Sequence, residues 1–363
     1  MPRRTATMLA STLVLFTLLI AGLFLPVPYS EMSPGPTVNT LGDSRGEPVL
    51  SISGRKTYPT SGHLNMTTVR VTSADYDMNL LEAVYGWLAD DNIVVPHENL
   101  YPDGKTEEQS TQENAEEFSQ SQESAKVAAL KQLGIPVSAR VIVSSVVKAS
   151  PADGKLHAGD VIRAVDGSPV TAPEDVAKLV TRHKPGEPVE FTVVPAAEAA
   201  EAEKAQREPT GSTKVTITTG KAEGGGHAIV GIRAGTDHTF PFTIDIKLAD
   251  VGGPSAGLMF ALGIVDKLTP QDLTGGKFVA GTGTIDDAGK VGPIGGIQMK
   301  TIAAREAGAQ YFLTPAENCA AAAADVPDGL TLVKVSTMDD ATKALEKISK
   351  GDTAGLPQCA AKP

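Results

Sequence analysis

The nine residues from Asp250 to Leu258, DVGGPSAGL, constrain this chain more than any other stretch. Two glycines and a proline precede Ser255, and the apolar run AGLMFALGIV follows it. A glycine loop feeding an apolar helix sets one hydroxyl at the rim of a core. Pro254 suits a helix start, because it lacks the N–H that would go unsatisfied there. The spacing predicts Ser255 in the first turn of the helix. Gly252, Gly253 and Pro254 then form a loop whose backbone approaches a substrate carbonyl. Free N–H groups and the positive end of the helix dipole favour an oxyanion there. A serine nucleophile needs a base, and no histidine lies nearby in sequence.

Lys300 is the alternative base. It follows PIGGIQM, in the first turn of a second predicted helix from about Gln298 to Ala307, capped by Gly308. Most of that neighbourhood is apolar, and desolvation lowers the pKa of a buried lysine. A neutral lysine takes a serine proton in the Ser–Lys variants of the catalytic triad. Spacing alone leaves the pair undecided, since a serine at a helix start is also an ordinary cap and a lysine an ordinary solvated charge. The surrounding strands FPFTIDIKL, KFVAGTGTID, QYFLTP and TLVKVST alternate with helices, ending in MDDATKALEKI. Such alternation reads as α/β or α+β.

Upstream, strand patterns at Val141–Val147, Val161–Val165 and Val189–Val194 enclose a helix pattern, EDVAKLVTRH, after Pro173. Asp166-Gly167 is a tight-turn signal. The segment 195–212, PAAEAAEAEKAQREPTGS, is rich in Ala and Glu and reads as a solvated insertion between two strand patterns. Farther upstream, HLNMTTVRVTS alternates as a strand and NLLEAVYGWLAD as a helix. The polar stretch from Thr106 to Glu123, read with AKVAALKQLG, predicts a helix capped by Gly134.

The N-terminus carries Arg3 and Arg4, then an uncharged run from Ala6 to Leu25 closed by Pro26. About twenty residues, as a helix, span a bilayer core, and GLFLPVPYS is a poor cleavage site. The expectation is a transmembrane signal anchor in a single-pass cell-membrane protein. Its catalytic domain would lie on the extracytoplasmic side, because the arginines hold the N-terminus in the cytoplasm. A secreted enzyme freed by signal cleavage is the competing reading.

The formal net charge of −11 argues against a nucleic-acid partner, and aromatic residues at 4% offer few stacking platforms. The histidines are His63, His97, His157, His183, His227 and His238, none spaced as a metal ligand from another histidine or a cysteine. No metal and no cofactor are expected. Two cysteines, Cys319 and Cys359, make no scaffold. On an oxidising side of a membrane they are expected to pair and staple the tail GDTAGLPQCAAKP to the preceding domain.

Two resemblances add to this reading. SPADGKLHAGDVIRAVDGSPV resembles the central signature of PDZ domains of the bacterial protease type. The resemblance implies a carboxylate-binding loop near Pro136 to Arg140 and peptide addition beside Val141–Ser144. Its candidate residues are Ala139, Arg140, Val141, Ile142 and Val143, although GIPVSARV lacks the usual glycines. GGPSAGLMFALGIV and GPIGGIQMKTIAAREAGAQYFLTPAEN resemble the nucleophile and lysine motifs of the Lon proteolytic domain. Ser255 and Lys300 stand in the catalytic positions, and Thr282 of GTGTID corresponds to a threonine that orients the lysine. Gly252 stands where many members have an acidic residue, and Thr284 where the glutamate of TGE would be. No G-x-x-x-x-G-K-[ST] motif occurs.

The expected class is therefore α+β. Residues 1–30 are the anchor, 31–133 a small N-terminal α/β extracytoplasmic region, and 134–222 the PDZ domain. Residues 223–348 are the Lon-type protease domain and 349–363 a tail. This order resembles the Lon-like, PDZ-containing bacterial membrane proteases. It implies an ATP-independent serine endopeptidase with protein or peptide substrates, the PDZ domain recognising or gating them, and a hexameric homo-oligomer. The alternative is a non-catalytic PDZ scaffold with a degenerate protease fold.

Overall fold

Strands read from the sequence as part of a separate amino-terminal region turn out to build half of the sheet beneath Ser255. The computed structural model describes residues 3–360 apart from 90, 206, 208, 223, 224 and 250. Helix α1 spans Arg3–Leu23. Strands β1 (Tyr29–Asn39), β2 (Leu50–Ser53) and β3 (His63–Val71) follow. Then come helix α2 (Leu80–Leu88), strand β4 (Ile93–Pro96) and the long helix α3 (Glu107–Gln132). The middle of the chain holds β5 (Ser138–Val146), β6 (Val161–Val165), α4 (Pro173–Val180), β7 (Pro188–Val194), α5 (Ala196–Lys204), β8 (Thr213–Thr218) and β9 (Ile232–Thr239). The last third holds β10 (Thr243–Ile246), α6 (Gly257–Leu268), β11 (Phe278–Gly281), α7 (Ile297–Glu306), β12 (Tyr311–Pro315), β13 (Thr331–Val335) and α8 (Met338–Ser349).

These elements form two units with mixed α+β content. One joins residues 1–135 to 242–363, and the other is 136–241. In the first, a six-stranded sheet runs β13-β12-β11-β3-β1-β4. Strands β3, β11, β12 and β13 are parallel, and β1 and β4 add antiparallel. Parallel strands buried on both faces read as continuous apolar runs, which is why Val279, Ala280, Phe312, Leu313 and Val333 have no exposure. Helix α6 is buried on every side from Gly257 to Asp266, as its all-round apolar sequence requires. Helix α3 starts at a capping box between Thr106 and Gln109. It packs Phe118 edge-on against Phe260 of α6, with ring centroids 5.9 Å apart.

In the second unit, the sheet runs β8-β7-β6-β5-β9. Its core gathers Val143, Leu156, Ile162, Val165, Val189, Phe191 and Ile217. The insertion 195–212 interrupts the β7–β8 pair and contains α5. Ala199 and Ala202 are buried, Ala199 against Val161 and Val194. Asp160 Oδ1 accepts the first amide of the insertion helix, from Ala196, at 2.9 Å. Part of the segment is thus packed rather than solvated.

The expected transmembrane anchor does not survive. Helix α1 ends at Leu23, and the amides of Phe24 and Leu25 close tighter turns on Ala21 and Gly22. Residues 1 and 2 and the side chains of residues 3, 5 and 6 lie outside the described residues. Among the described residues no helix is long and apolar enough to cross a membrane. The anchor at 1–30 and the single-pass placement with an extracytoplasmic catalytic domain are corrected accordingly.

Cys319 and Cys359 are joined in a disulfide with Cα atoms 4.9 Å apart. The tail runs along β13, where Lys334 N donates to Pro357 O at 2.7 Å and Cys359 N to Leu332 O at 3.3 Å.

One buried charge stands out near the end of α6. Asp266 is 1% exposed. Its Oδ1 accepts from Leu273 N at 2.8 Å, while Oδ2 has no partner among the described residues. Burial pushes this carboxyl up to about 6. A carboxyl whose pKa is raised by folding costs stability when it ionises, so the cost is present at neutral pH and fades as pH falls through about 6. Asp266→Asn keeps the Oδ1 acceptor. It should raise Tm by a few degrees at pH 7.5 and by clearly less at pH 4.5, since the cost disappears fully only below the unfolded value of 3.8, read by thermal unfolding at both pH values.

Candidate active site

The serine lies just outside its helix. Helix α6 starts at Gly257, and Ser255 and Ala256 form the turn before it. Ser255 O accepts from Gly283 N at 2.8 Å and from Thr282 Oγ1 at 3.0 Å. These bonds tie the nucleophile turn to the segment following β11. Gly253 N donates to Asn114 O of α3 at 2.9 Å, and Ser121 Oγ of α3 donates to Pro254 O at 2.9 Å.

Lys300 is the fourth residue of α7, whose N-cap is Gly296 at φ 66°. That backbone favours glycine. A Cβ at Gly296 would also sit 2.9 Å from Met32 of β1 and from Val69 of β3. The helix start is thereby pressed onto the sheet, and its fourth side chain points under the serine. Lys300 Nζ lies 2.9 Å from Ser255 Oγ and donates to Thr67 O of β3 at 2.8 Å. Lys300 is 2% exposed, and Thr67 and Thr282 have no exposure. Burial alone drives the lysine pKa down, to about 8.

The structure thus brings Ser255, Lys300 and Thr282 into one site. Thr282 was expected to orient the lysine, but its hydroxyl donates to the Ser255 carbonyl. The group that fixes Lys300 is the Thr67 carbonyl. The loop reading needs a similar correction. Pro254 has no N–H, and the Gly253 N–H is already given to Asn114, so neither donates to an oxyanion. The amides of Ser255 and Ala256 have no acceptor among the described residues. Gly252 has a steric reason to replace an acidic residue, because a Cβ there would lie 2.9 Å from Asn114 Cβ. Thr67, Asn114 and Ser121 were missed in the sequence. They lie far upstream in segments read only as strand and helix, and no local motif marks them.

In the second unit, the candidate peptide strand is closed. Residues Ala139, Arg140, Val141, Ile142 and Val143 belong to β5, which pairs with β9 on one side and β6 on the other. Val141 and Val143 are core residues, and Arg140 pairs with Asp237 at 2.6 Å. No strand can add there. The outer strand is β9, and between it and α4 lies a groove of about 470 Å³. Pro173, Val176, Ala177 and Val180 line one wall, and Ile229, Val230, Ile232 and Ala234 the other.

Among the described residues no group of His, Cys, Asp or Glu is placed to hold a metal ion.

Residues 113–203 match the PDZ domain model, and residues 249–347 match the model of the Lon protease (S16) C-terminal proteolytic domain. The chain is 41% identical over 95 residues to the Lon protease of Azospirillum brasilense, covering 25% of this chain and 11% of that protein. It is 46% identical over 66 residues to the Lon protease of Halothermothrix orenii, covering 18% of this chain and 8% of that protein. The chain thus spans about a tenth of the length of these relatives. The crystal structure of the PDZ domain of an SdrC-like protein from Listeria innocua aligns over 28% of this chain and 99% of that one, at 23% identity and a TM-score of 0.21. The Lon matches support a serine peptidase.

A lysine acting as base works in its neutral form, so on that reading of Lys300 the log of kcat/KM for a peptide should rise with pH and level off above about 8. Lys300→Met should abolish turnover yet stabilise the fold at pH 7 by up to roughly 3 kcal/mol, since the buried ammonium no longer has to be desolvated. Chemical denaturation of the variant beside the parent measures this.

Proposed function

We propose that the chain is an ATP-independent serine endopeptidase in which Lys300 is the general base for Ser255. The contact of 2.9 Å between Lys300 Nζ and Ser255 Oγ, inside a site that excludes water from the amine, carries this reading. A neutral amine has two N–H bonds and one lone pair. Thr67 O takes one N–H, which leaves the lone pair for the serine hydroxyl. Lys300 takes the Oγ proton as Oγ bonds the scissile carbonyl carbon. The ammonium then passes a proton to the leaving amine, and the C–N bond breaks to give an acyl-enzyme. Water, deprotonated by the same lysine, releases the acid and restores the serine. The nucleophile and base already touch, so none of these steps needs nucleotide hydrolysis.

The PDZ unit is proposed to hold an extended substrate segment between α4 and β9. Main-chain bonds to an outer strand supply affinity, and an apolar wall supplies side-chain preference. The groove of about 470 Å³ with its apolar lining supports this placement.

Two tests follow. Ser255→Ala and Lys300→Arg should each abolish hydrolysis of an unfolded protein without ATP. The guanidinium of the second variant stays protonated and cannot serve as a base. Substantial turnover by Lys300→Arg would sink the lysine-base mechanism. For the groove, Ala177→Glu sets a charge on its exposed rim. It should weaken binding of a peptide with an apolar C-terminus by about tenfold, or about 1.4 kcal/mol. Arg140→Ala should leave that binding unchanged in fluorescence polarisation.

A further inference from the structure

We propose that helix α3 is part of the peptidase site and that Ser121 is a positioning residue that aims the Ser255 amide at the oxyanion. The inference rests on the reading of Ser255 as the nucleophile. Asn114, Phe118 and Ser121 stand at positions i, i+4 and i+7, so they share one face of α3. All three meet the segment that carries the serine. Asn114 O accepts from Gly253 N at 2.9 Å, Phe118 packs on Phe260, and Ser121 Oγ donates to Pro254 O at 2.9 Å.

Ser121 is 5% exposed. A buried helical serine usually returns its hydroxyl to a carbonyl of its own helix, but here it reaches across to the loop. The approach is made possible by glycine on both sides of the serine turn. A Cβ at Gly252 would lie 2.9 Å from Asn114 Cβ, and one at Gly257 would lie 2.8 Å from Ser121 Oγ.

The consequence for chemistry follows from peptide geometry. The Pro254–Ser255 bond is trans, so its C=O and N–H point in opposite directions across a rigid plane. Fixing the Pro254 carbonyl on Ser121 fixes the Ser255 N–H pointing away from α3. That N–H has no acceptor among the described residues. It is a donor held in place before charge develops, the arrangement that stabilises a tetrahedral oxyanion most. Thr282 and Gly283 hold the far side of the same residue through the Ser255 carbonyl. Ser121 therefore acts on the amide and not on the hydroxyl.

The test compares Ser121→Ala and Ser121→Thr in the full chain. In Ser121→Ala, kcat for a fluorogenic peptide should fall at least about tenfold, with KM within about twofold. Affinity for a peptide boronic acid, which mimics the tetrahedral state, should fall by the same factor. Ser121→Thr, which restores the hydroxyl, should return kcat to within about threefold of the parent. Should Ser121→Ala fail to fold, Ser121→Cys, with a similar shape and a weak donor, is read the same way. A folded Ser121→Ala with kcat within twofold of the parent overturns the proposal, as does an unchanged boronate affinity or a Ser121→Thr no better than Ser121→Ala. Ser255→Ala separates the two levels of the argument. Its inactivity beside a fully active Ser121→Ala removes only the role of Ser121, whereas its activity removes the nucleophile itself.

Discussion

The site depends on an amine buried, among the described residues, without a counter-charge. Lys300 has a carbonyl and a hydroxyl for partners, Thr67 O and Ser255 Oγ. Neither neutralises an ammonium. A carboxylate in reach would hold the lysine protonated and remove its basicity, whereas desolvation alone pushes the pKa down to about 8. The fold carries the energetic cost of that burial, and a packed sheet is what makes the cost tolerable. Strands β1 and β3 press on the start of α7 through Met32 and Val69, and β3 supplies a carbonyl acceptor that fixes the amine.

Around Lys300, the turn that carries Ser255 is held from three parts of the chain. The segment after β11 binds the Ser255 carbonyl, α3 binds Gly253 and Pro254, and α7 brings the lysine. Each hydrogen bond in these contacts is worth about 1 kcal/mol net. Their value lies in geometry, because donors fixed in advance need no reorganisation when charge appears. The glycines at 252 and 257 permit this convergence, since a side chain at either would push α3 away.

The serine, the lysine and the alternation of strands and helices were legible because each is written in a short, contiguous pattern. The cysteines were legible as the only two in the chain, and they meet in a disulfide. What was not legible depends on long-range pairing. Nothing local in HLNMTTVRV says that it will lie parallel to Phe278–Gly281 and offer Thr67 O to a lysine more than two hundred residues away. Nothing in SARVIV says that residues 232–239 will return to cover its edge, so the predicted peptide strand is an interior one. The polar helix α3 carries no local motif that marks it for the site, yet one face of it grips the serine loop. The acceptor of the Thr282 hydroxyl was hidden for a related reason: a motif names which residues gather, while rotamers and backbone direction decide which atoms meet. The N-terminal run illustrates the limit of composition, because an uncharged stretch from Ala6 to Leu25 is present, yet among the described residues no helix is long and apolar enough to cross a membrane.

The claim at the centre is that burial brings the pKa of Lys300 down to about 8, so that a neutral fraction exists near neutral pH. The most direct measurement is an NMR titration of the full chain carrying ¹³C-labelled lysine, with the Lys300 Cε resonance assigned through Lys300→Met. The account predicts a single transition near pH 8, well separated from the other lysines. A Lys300 resonance that titrates with them, near the ordinary value of 10.5, would contradict it.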